Sequence, residues 1–357
     1  MDATWARSVV IRAAAMAGLR CDGARLLRRG SHVMFLLPEG IVARVGRAGS
    51  QDRARRELAV ARWLARHDFP AVRPVDVPGT AGLTVVDEHP VTWWQAIPAH
   101  CPATLAELGR VIRAFHNLPN PGPDLDLPRF APFDGLAERI AASHVVDEDE
   151  RAWLMEHLGV LERRYAASSL ADVRRLIHGD AWEGNVAVPE SGAPVLLDLE
   201  AVCLGPAEWD LTPVAVDFTD FTRITVNDYR SFVNAYGWDV TTSSDFRLLA
   251  DIQELKWACF AIGLGEHDTS AAEEAHMRIA CLRGEIERPW TWRALHPRLI
   301  TVRVWPELLL MRQVRHQGPD RLSAASLPSS HRITTPRDED QASQHDDGSV
   351  FDHGCSG

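Results

Sequence analysis

Residues 176–200 constrain this chain more than any other segment, because polar side chains with few structural uses recur there at fixed spacings. A short apolar run leads into His178-Gly179-Asp180, and Asn185 follows five positions after the aspartate. The end of the same segment reads hydrophobic-Asp-x-Glu, with Asp198 and Glu200 as its acidic positions. An ordinary turn or helix cap does not need this ordered set.

The middle of the segment is predicted to be a β-hairpin. Two apolar runs, 186–188 and 195–197, flank a turn that is rich in Pro, Gly and Ser. Because a hairpin brings its two ends together, we expect Asn185 at its entrance and Asp198 at its exit to be neighbours. Asp180 would then lie on the loop just before them.

Such a cluster fits phosphoryl transfer. Mg²⁺ takes a few carboxylate or carbonyl oxygens from a protein, which Asp198 and Asn185 could supply, and completes its shell with phosphate oxygens and water. A separate carboxylate must orient the acceptor hydroxyl and receive its proton, and Asp180 is placed for that. The simpler alternative is that these residues cap turns in an ordinary α/β domain.

The pattern His-Gly-Asp-x-x-x-x-Asn followed by hydrophobic-Asp-x-Glu resembles the aminoglycoside phosphotransferase and choline kinase superfamily, a branch of the protein-kinase-like fold. The resemblance implies that Asp180 is the catalytic base and that Asn185 and Asp198 bind Mg²⁺. It also implies that Glu200 lies near a second metal ion.

Two residues of the same region are expected to support the catalytic loop. Asp210, in a segment at 205–211 that resembles the next helix of the family, would brace the loop from below. His178 is interpreted as a buried ring under the loop. Protein kinases carry His-Arg-Asp at this place, so Gly179 favours a small-molecule kinase, and no Ala-Pro-Glu segment follows Asp198.

The N-terminal residues resemble the nucleotide-binding part of the family. The loop at Gly30 and Ser31 is expected to approach phosphate oxygens, with a plain turn as the alternative. Arg44 stands on a predicted strand where the family often has lysine, and Glu57 follows thirteen residues later in the next helix. We expect these two to form an ion pair, with Arg44 contacting phosphate.

A segment at 91–96 resembles the hinge between the two lobes, where backbone groups would bond the adenine. It contains Trp93 and Trp94. Trp94 is predicted to contribute to the nucleotide site by stacking on the base, and either tryptophan could instead be a core residue.

Hydrophobic patterning and the resemblance together predict an α+β, bilobal protein-kinase-like fold, with a small β-rich N-lobe and a larger, mainly helical C-lobe. Residues 1–92 are the nucleotide-binding lobe with a leading helix, and residues 93–315 are the hinge and the helical catalytic lobe. Residues 316–357 are polar and are predicted to be a disordered tail. Helices are expected at 54–66, 105–115 (capped by Thr104), 148–167, 208–218, 227–236, 244–265 and 271–287.

Composition excludes several classes of protein. The net charge of −11 argues against a nucleic-acid binder, and no apolar run reaches the ~18 residues that a membrane-spanning helix needs. The six cysteines are scattered singly, which favours a reducing cytoplasm over a disulfide framework or a zinc site. Lys256 is the one lysine of the chain.

The sequence thus predicts a phosphotransferase that uses ATP and Mg²⁺ to phosphorylate a hydroxyl of a small molecule, aminoglycoside-, aminosugar- or amino-alcohol-like. The alternative is a catalytically weak or inactive nucleotide-binding protein, which Arg44 in place of lysine keeps open. A cationic acceptor could be met by carboxylates of the helical lobe, which are otherwise merely solvated: Glu208, Asp217, Asp220, Glu254 and Glu266.

Overall fold

The computed structural model describes residues 3–30, 32–190 and 192–295. Its N-terminal region is built on an antiparallel β-sheet and its C-terminal region is mainly helical. Ser31 and the predicted tail at 316–357 lie outside the described residues. Their assignments therefore stay predictions.

Five antiparallel strands form the N-terminal sheet in the order β1-β2-β3-β5-β4. Successive side chains of a strand point to opposite faces, so Ala43 and Val45 join a core with the first helix, whereas Val42 joins a core with the second. The strands are β1 (Arg25–Arg29), β2 (Val33–Leu36), β3 (Ile41–Val45), β4 (Leu83–Val86) and β5 (His89–Gln95).

One helix covers each face of this sheet. Helix α1 (Ala3–Ala17) buries a stripe of alanine and valine against one face. Helix α2 (Gln51–Arg66) packs on the other face through Leu58 and Leu64, and it also buries Glu57. Since Arg44 alternates with Ala43 along β3, its side chain points toward α2.

Seven further helices make up the C-terminal region of the described chain, where they pack around two apolar cores. The predicted capping box of the first of them is present, since Thr104 and Glu107 each accept a hydrogen bond from the other's backbone N–H. The helices are α3 (Leu105–His116), α4 (Leu136–Ala142), α5 (Glu148–Ala167), α6 (Glu208–Thr219), α7 (Val226–Tyr236), α8 (Phe246–Gly265) and α9 (Thr269–Leu282). Among the described residues, none of the helices combines the length and apolarity that crossing a bilayer requires.

Two small sheets in this region position the polar segment at 176–200 that was identified in the sequence. One joins β6 (His100–Pro102), β8 (Val186–Pro189) and β9 (Val195–Leu196), and the other joins β7 (Arg175–Ile177) to β10 (Cys203–Gly205). Strands β8 and β9 are antiparallel, with Val186 opposite Leu196. The predicted hairpin is therefore confirmed.

The predicted helices are present, with two differences. The last was expected at 271–287 but ends at Leu282, because Gly284 adopts a left-handed conformation that stops the helix. Helix α4, only seven residues long, was not predicted, since so short a segment shows little periodicity. The predicted lobe boundary between 92 and 93 falls within β5, and the division into lobes stays a prediction.

Candidate active site

The predicted catalytic loop begins where β7 ends and turns sharply at Gly179. This residue has a φ of +82°, in the left-handed region that side chains disfavour. A Cβ built on Gly179 would overlap the backbone carbonyl oxygen of Ala201. Both the conformation and the close backbone approach therefore require glycine here.

Asp210, at the start of α6, lies beneath this loop and is 1% exposed. Its two carboxylate oxygens accept the backbone N–H groups of His178 at 2.6 Å and Gly179 at 2.8 Å. The Nε2–H group of His116 donates a third hydrogen bond at 2.9 Å. Burial raises the pKa of Asp210, but these interactions outweigh it, so the net pKa is lowered and the carboxylate stays ionised.

Two aromatic rings tie the loop to its neighbours. The indole N–H of Trp209 donates to the carbonyl of Gly179 at 3.0 Å. The ring of His178 is fully buried, and its Nε2–H group donates to the carbonyl of Leu197 at 2.8 Å. Its Nδ1 atom has no hydrogen-bond partner among the described residues. This geometry fits the structural interpretation of His178, because a buried ring bonded to backbone is badly placed to shuttle protons.

Asn185 is joined directly to Asp180. Its side-chain Nδ2 donates to the backbone carbonyl of Asp180 at 2.9 Å and to the carboxylate Oδ2 at 3.1 Å. The amide oxygen of Asn185 accepts no hydrogen bond from the described part of the chain, so it is available to a cation. Surrounding protein and the charge of Asp198 raise the pKa of Asp180, whose side chain reaches the surface.

The hairpin brings Asp198 to the same place. The backbone N–H of Leu197 donates to the carbonyl of Asn185 at 2.8 Å, which extends the pairing of β8 and β9 by one residue. Asp198 follows at once with a φ of +55°, a conformation that aspartate tolerates better than most residues. Asp180, Asn185 and Asp198 therefore meet at one end of the hairpin, as their spacing predicts.

Arg44 reaches this group from the N-terminal sheet. Its Nη1 atom pairs with Glu57 of α2, as the spacing of thirteen residues predicts. Its Nη2 atom lies 3.0 Å from Glu200 and 3.4 Å from Asp198. Burial lowers the pKa of Arg44, but the three carboxylates outweigh this effect and raise it, so the guanidinium stays charged.

His32 is a neighbour of Arg44 that sequence reasoning missed. Its Nδ1 atom lies 3.0 Å from Nη2 of Arg44, and its Nε2 atom lies 3.5 Å from Glu200. Burial and the positive charge of Arg44 lower the pKa of His32 to about 3, so the ring is neutral at physiological pH. Gly30 lies two residues earlier, with space for a side chain, so sterics do not require glycine there.

The two hinge tryptophans are both buried in the structure. Trp93 is 0% exposed and donates to the hydroxyl of Thr84, whereas Trp94 is 5% exposed and donates to the hydroxyl of Thr92. The core interpretation therefore holds for Trp93. The stacking role of Trp94 stays a prediction, and only a small edge of its ring is accessible.

The donor set fits a magnesium ion that is shared with a nucleotide. The described residues contain no group of three or more His, Cys, Asp or Glu side chains that could hold a metal ion by themselves. Mg²⁺ usually takes one or two carboxylates and draws its other ligands from phosphate and water. Asp198 and the free amide oxygen of Asn185 meet that requirement. Glu200 is close to Asp198, because both carboxylates contact the Nη2 atom of Arg44.

Comparisons with known proteins identify a family for the chain. The sequence model of the phosphotransferase enzyme family matches residues 29–246, well over half of the chain, including every described site residue named above. No curated protein matches the chain significantly.

Solved structures show the fold. Amicoumacin kinase hAmiN, in complex with AMP-PNP, Ca²⁺ and its ligand, is 12% identical, with a TM-score of 0.63 over 81% of this chain and 98% of its own. APH(2″)-IIia, in its GDP and kanamycin complex, is 14% identical, with a TM-score of 0.57 over 77% and 98%. Choline kinase LicA from Streptococcus pneumoniae is 14% identical, with a TM-score of 0.55 over 77% and 99%. The predicted kinase-like fold, with a β-rich N-terminal and a helical C-terminal region, is confirmed.

Proposed function

The chain belongs to the phosphotransferase enzyme family, and we propose that it transfers the γ-phosphate of ATP to a hydroxyl group of a small molecule, with Mg²⁺ as its metal. The observation that supports this most is the meeting of Asp180, Asn185 and Asp198 on a loop held by Asp210. Phosphoryl transfer depends mainly on positioning and on charge stabilisation, and this arrangement offers both.

In the proposed reaction Asp180 accepts a hydrogen bond from the acceptor hydroxyl and takes its proton. The acceptor oxygen forms a bond to the γ-phosphorus while the bond from that phosphorus to the β–γ bridging oxygen breaks, and ADP leaves with the bonding electrons. Asn185 fixes the Asp180 carboxylate through Nδ2, and its amide oxygen would hold the metal together with Asp198. Mg²⁺, when bound there, neutralises charge on the phosphates.

The nucleotide is proposed to bind beside the N-terminal sheet. Arg44 is proposed to contact its phosphates, with Glu57 holding the guanidinium from behind. Glu200 is proposed to approach a second metal ion. The loop at Gly30 and Ser31 would cover the phosphates, and the edge of Trp94 would border the adenine.

The proposal also covers where the acceptor binds and where in the cell the protein acts. The acceptor is proposed to be a small hydroxyl compound bound by the helical region next to Asp180. A cytoplasmic location is in keeping with the described cysteines, all of which are free thiols: Cys21, Cys101, Cys203, Cys259 and Cys281.

One observation favours a second function, nucleotide binding without transfer. Arg44 bonds to Asp198 and Glu200, the carboxylates that the metal would need, and it would have to release them when Mg·ATP binds. If the guanidinium kept these contacts, the metal would be excluded and the site would be catalytically weak.

An ADP-release assay separates these functions. Purified protein is incubated with Mg·ATP and a panel of antibiotics, sugars, amino alcohols and hydroxy acids, beside the variants Asp180→Asn and Asp198→Ala. Acceptor-dependent ADP release that is lost in Asp180→Asn supports transfer. Tight nucleotide binding without acceptor-dependent ADP release supports the second function, and absence of both contradicts the proposal.

A further inference from the structure

The one lysine of the chain lies against the catalytic loop. Lys256 is on α8, and its Nζ atom is 4.7 Å from the ring centroid of Trp209. The indole of Trp209 in turn donates a hydrogen bond to the carbonyl of Gly179, the residue before Asp180. A single aromatic side chain therefore connects the ammonium group to the loop that carries the proposed base.

The ammonium group of Lys256 has no ion-pair partner in the described part of the chain. No carboxylate oxygen there lies within the 4.0 Å of an ion pair, and no hydrogen bond to Nζ is present. The side chain is half-buried, and burial lowers its pKa, while Asp180, Cys203 and Asp134 act in the opposite direction. A partly desolvated cation without a close counter-ion favours an anion supplied from outside the chain.

Lys256 and Arg44 interact electrostatically with different carboxylates of the site. The charges that act on Arg44 are those of Glu57, Asp198 and Glu200, on the side of the proposed nucleotide. Asp180 favours the charged form of Lys256, which forms no ion pair with Asp198 or Glu200. Lys256 therefore lies beside the loop that carries the proposed base, next to the place where the acceptor hydroxyl must meet Asp180.

The carboxylates that could receive a cationic acceptor are mostly occupied within the protein. Asp217 pairs with Arg223 at 2.7 Å, and Glu266 accepts hydrogen bonds from the hydroxyl of Ser143 and the backbone N–H of His144. Of the five such carboxylates named from the sequence, Glu208 alone has no side-chain partner among the described residues.

The two most buried of these carboxylates share two arginines. Asp220 lies 2.8 Å from Arg247 and 3.1 Å from Arg288. Glu254 lies 2.7 Å from the first of these arginines and 2.9 Å from the second. A cationic ligand would have to displace one of these arginines or add a further positive charge beside them, and like charges repel. Of these five carboxylates, only Glu208 is therefore free to receive a cation without losing a partner within the described residues.

We infer that Lys256 binds an anionic group of the acceptor, so that the preferred acceptors are hydroxyl compounds that carry a carboxylate or a similar anion. The inference rests on the proposed function, because it assigns the charge of the acceptor at the same site. The anion pairs with the ammonium of Lys256 while the hydroxyl of the same molecule points to Asp180. A polycationic acceptor is disfavoured because Lys256 repels it and four of the five acids named above already have partners.

Matched acceptors that differ only in this charge test the inference. D-glucuronate is compared with D-glucuronamide, and 4-hydroxybutyrate with 4-hydroxybutyramide, with choline and kanamycin as cations. ADP release is measured for the wild type, Lys256→Met and Lys256→Arg. Binding of each probe is also measured by calorimetry in the presence of a non-hydrolysable ATP analogue, so that recognition is read without turnover.

The wild type should favour the carboxylates over their amides by about tenfold or more in kcat/KM, the range that one charged contact supplies. Lys256→Met should abolish this preference through KM for the carboxylate. It should leave KM for ATP unchanged and, at a pH well above the acid limb of the profile, should also leave activity on the amides unchanged. Lys256→Arg should keep it. Arg139→Met, which removes an exposed arginine of α4, is the matched control and should behave as the wild type.

Equal turnover of carboxylates and amides, a preference for the cations, or a Lys256→Met loss that is the same for every acceptor would each overturn the inference while leaving the transferase function standing. Lys256-dependent binding of carboxylates without ADP release would instead support the anion site and contradict the proposed transfer. Thermal unfolding of each variant shows whether a loss reflects the site or the fold.

Discussion

Asn185 donates from a single amide nitrogen to both the backbone carbonyl and the carboxylate of Asp180, at 2.9 Å and 3.1 Å. The residue proposed to bind the metal is thus also the residue that orients the proposed base. These two functions share one side chain because the amide presents its nitrogen to Asp180 and keeps its oxygen for the metal.

Asn185→Ala should therefore impair both functions at once. We expect kcat to fall by about 10²-fold or more, as for loss of a group that positions an acid–base residue. We also expect the Mg²⁺ concentration that gives half-maximal activity to rise. Steady-state kinetics over a Mg²⁺ titration measures both. Asn227→Ala, at an exposed position of α7, should leave both values unchanged. A normal Mg²⁺ dependence in Asn185→Ala would contradict the metal assignment.

Asp210→Asn tests the support beneath the loop. An asparagine keeps the shape but turns an N–H₂ group toward donors from His178, Gly179 or His116, so one buried donor at least loses its acceptor. We expect the free energy of unfolding to fall by about 3 kcal/mol, in the range for breaking a buried charged interaction. Urea denaturation measures this change, with the exposed Asp172→Asn as a control that should not shift the midpoint.

The same variant should alter the pH dependence of stability. The pKa of Asp210 is lowered in the folded protein, so its contribution is present above the pKa of an unfolded aspartate, about 3.9, and is lost as the pH falls through the folded value. Asp210→Asn should therefore weaken the acid dependence of the free energy of unfolding. An acid limb as steep as that of the wild type would contradict this account.

Gly179→Ala should be among the most damaging small substitutions in the loop. The added Cβ would overlap the carbonyl of Ala201, and the φ of +82° is strained for any side chain. We expect a loss of stability of about 2 kcal/mol or more together with loss of transfer. Gly192→Ala, in the turn of the nearby hairpin, has space and no positive φ, and should retain activity and stability. Equal behaviour of the two variants would show that the loop can move away from Ala201.

Contacts between residues close together in the sequence could be predicted, and contacts between residues far apart in the sequence could not. The hairpin from Asn185 to Asp198 and the pair of Arg44 with Glu57 depend on spacings of thirteen residues, which strand and helix geometry converts into contacts. The bond between Arg44 and Glu200 spans 156 residues, and no local pattern encodes it.

Two supporting residues were missed for related reasons. His116 lies 94 residues before Asp210, within the apolar face of α3, where a histidine gives no sign of its partner. Lys256 stood out in the sequence only as the single lysine. Its proximity to Trp209 depends on the packing of α8 on α6, which is a tertiary contact that the sequence of neither helix reveals. Both positions are fixed by packing of helices rather than by the periodicity of one segment.

Two substitutions of Arg44 separate the effect of its positive charge from the effect of its two-pronged guanidinium shape. Arg44→Met leaves Glu57 buried without its cation, so we expect a loss of about 3–5 kcal/mol in the free energy of unfolding. Arg44→Lys keeps the charge but cannot reach Glu57 and Glu200 with two separate nitrogens, so a smaller loss is expected. Urea denaturation and the KM for ATP measure the two effects. Equal stability of Arg44→Met and the wild type would show that Glu57 takes up a proton or another partner.

The pH profile of transfer tests the environment of Asp180. The surrounding protein and the charge of Asp198 raise the pKa of this carboxylate, and the base must be ionised to accept a proton. Transfer should therefore decline, as the pH falls, at a higher pH than an ordinary aspartate would give. Lys256 acts in the opposite direction by favouring the ionised form, so Lys256→Met should move the acid limb of kcat/KM further toward neutral pH, measured with a neutral acceptor. Lys256→Arg keeps the charge and should keep the limb in place. A shift toward lower pH in Lys256→Met would contradict the placement of the ammonium beside the base.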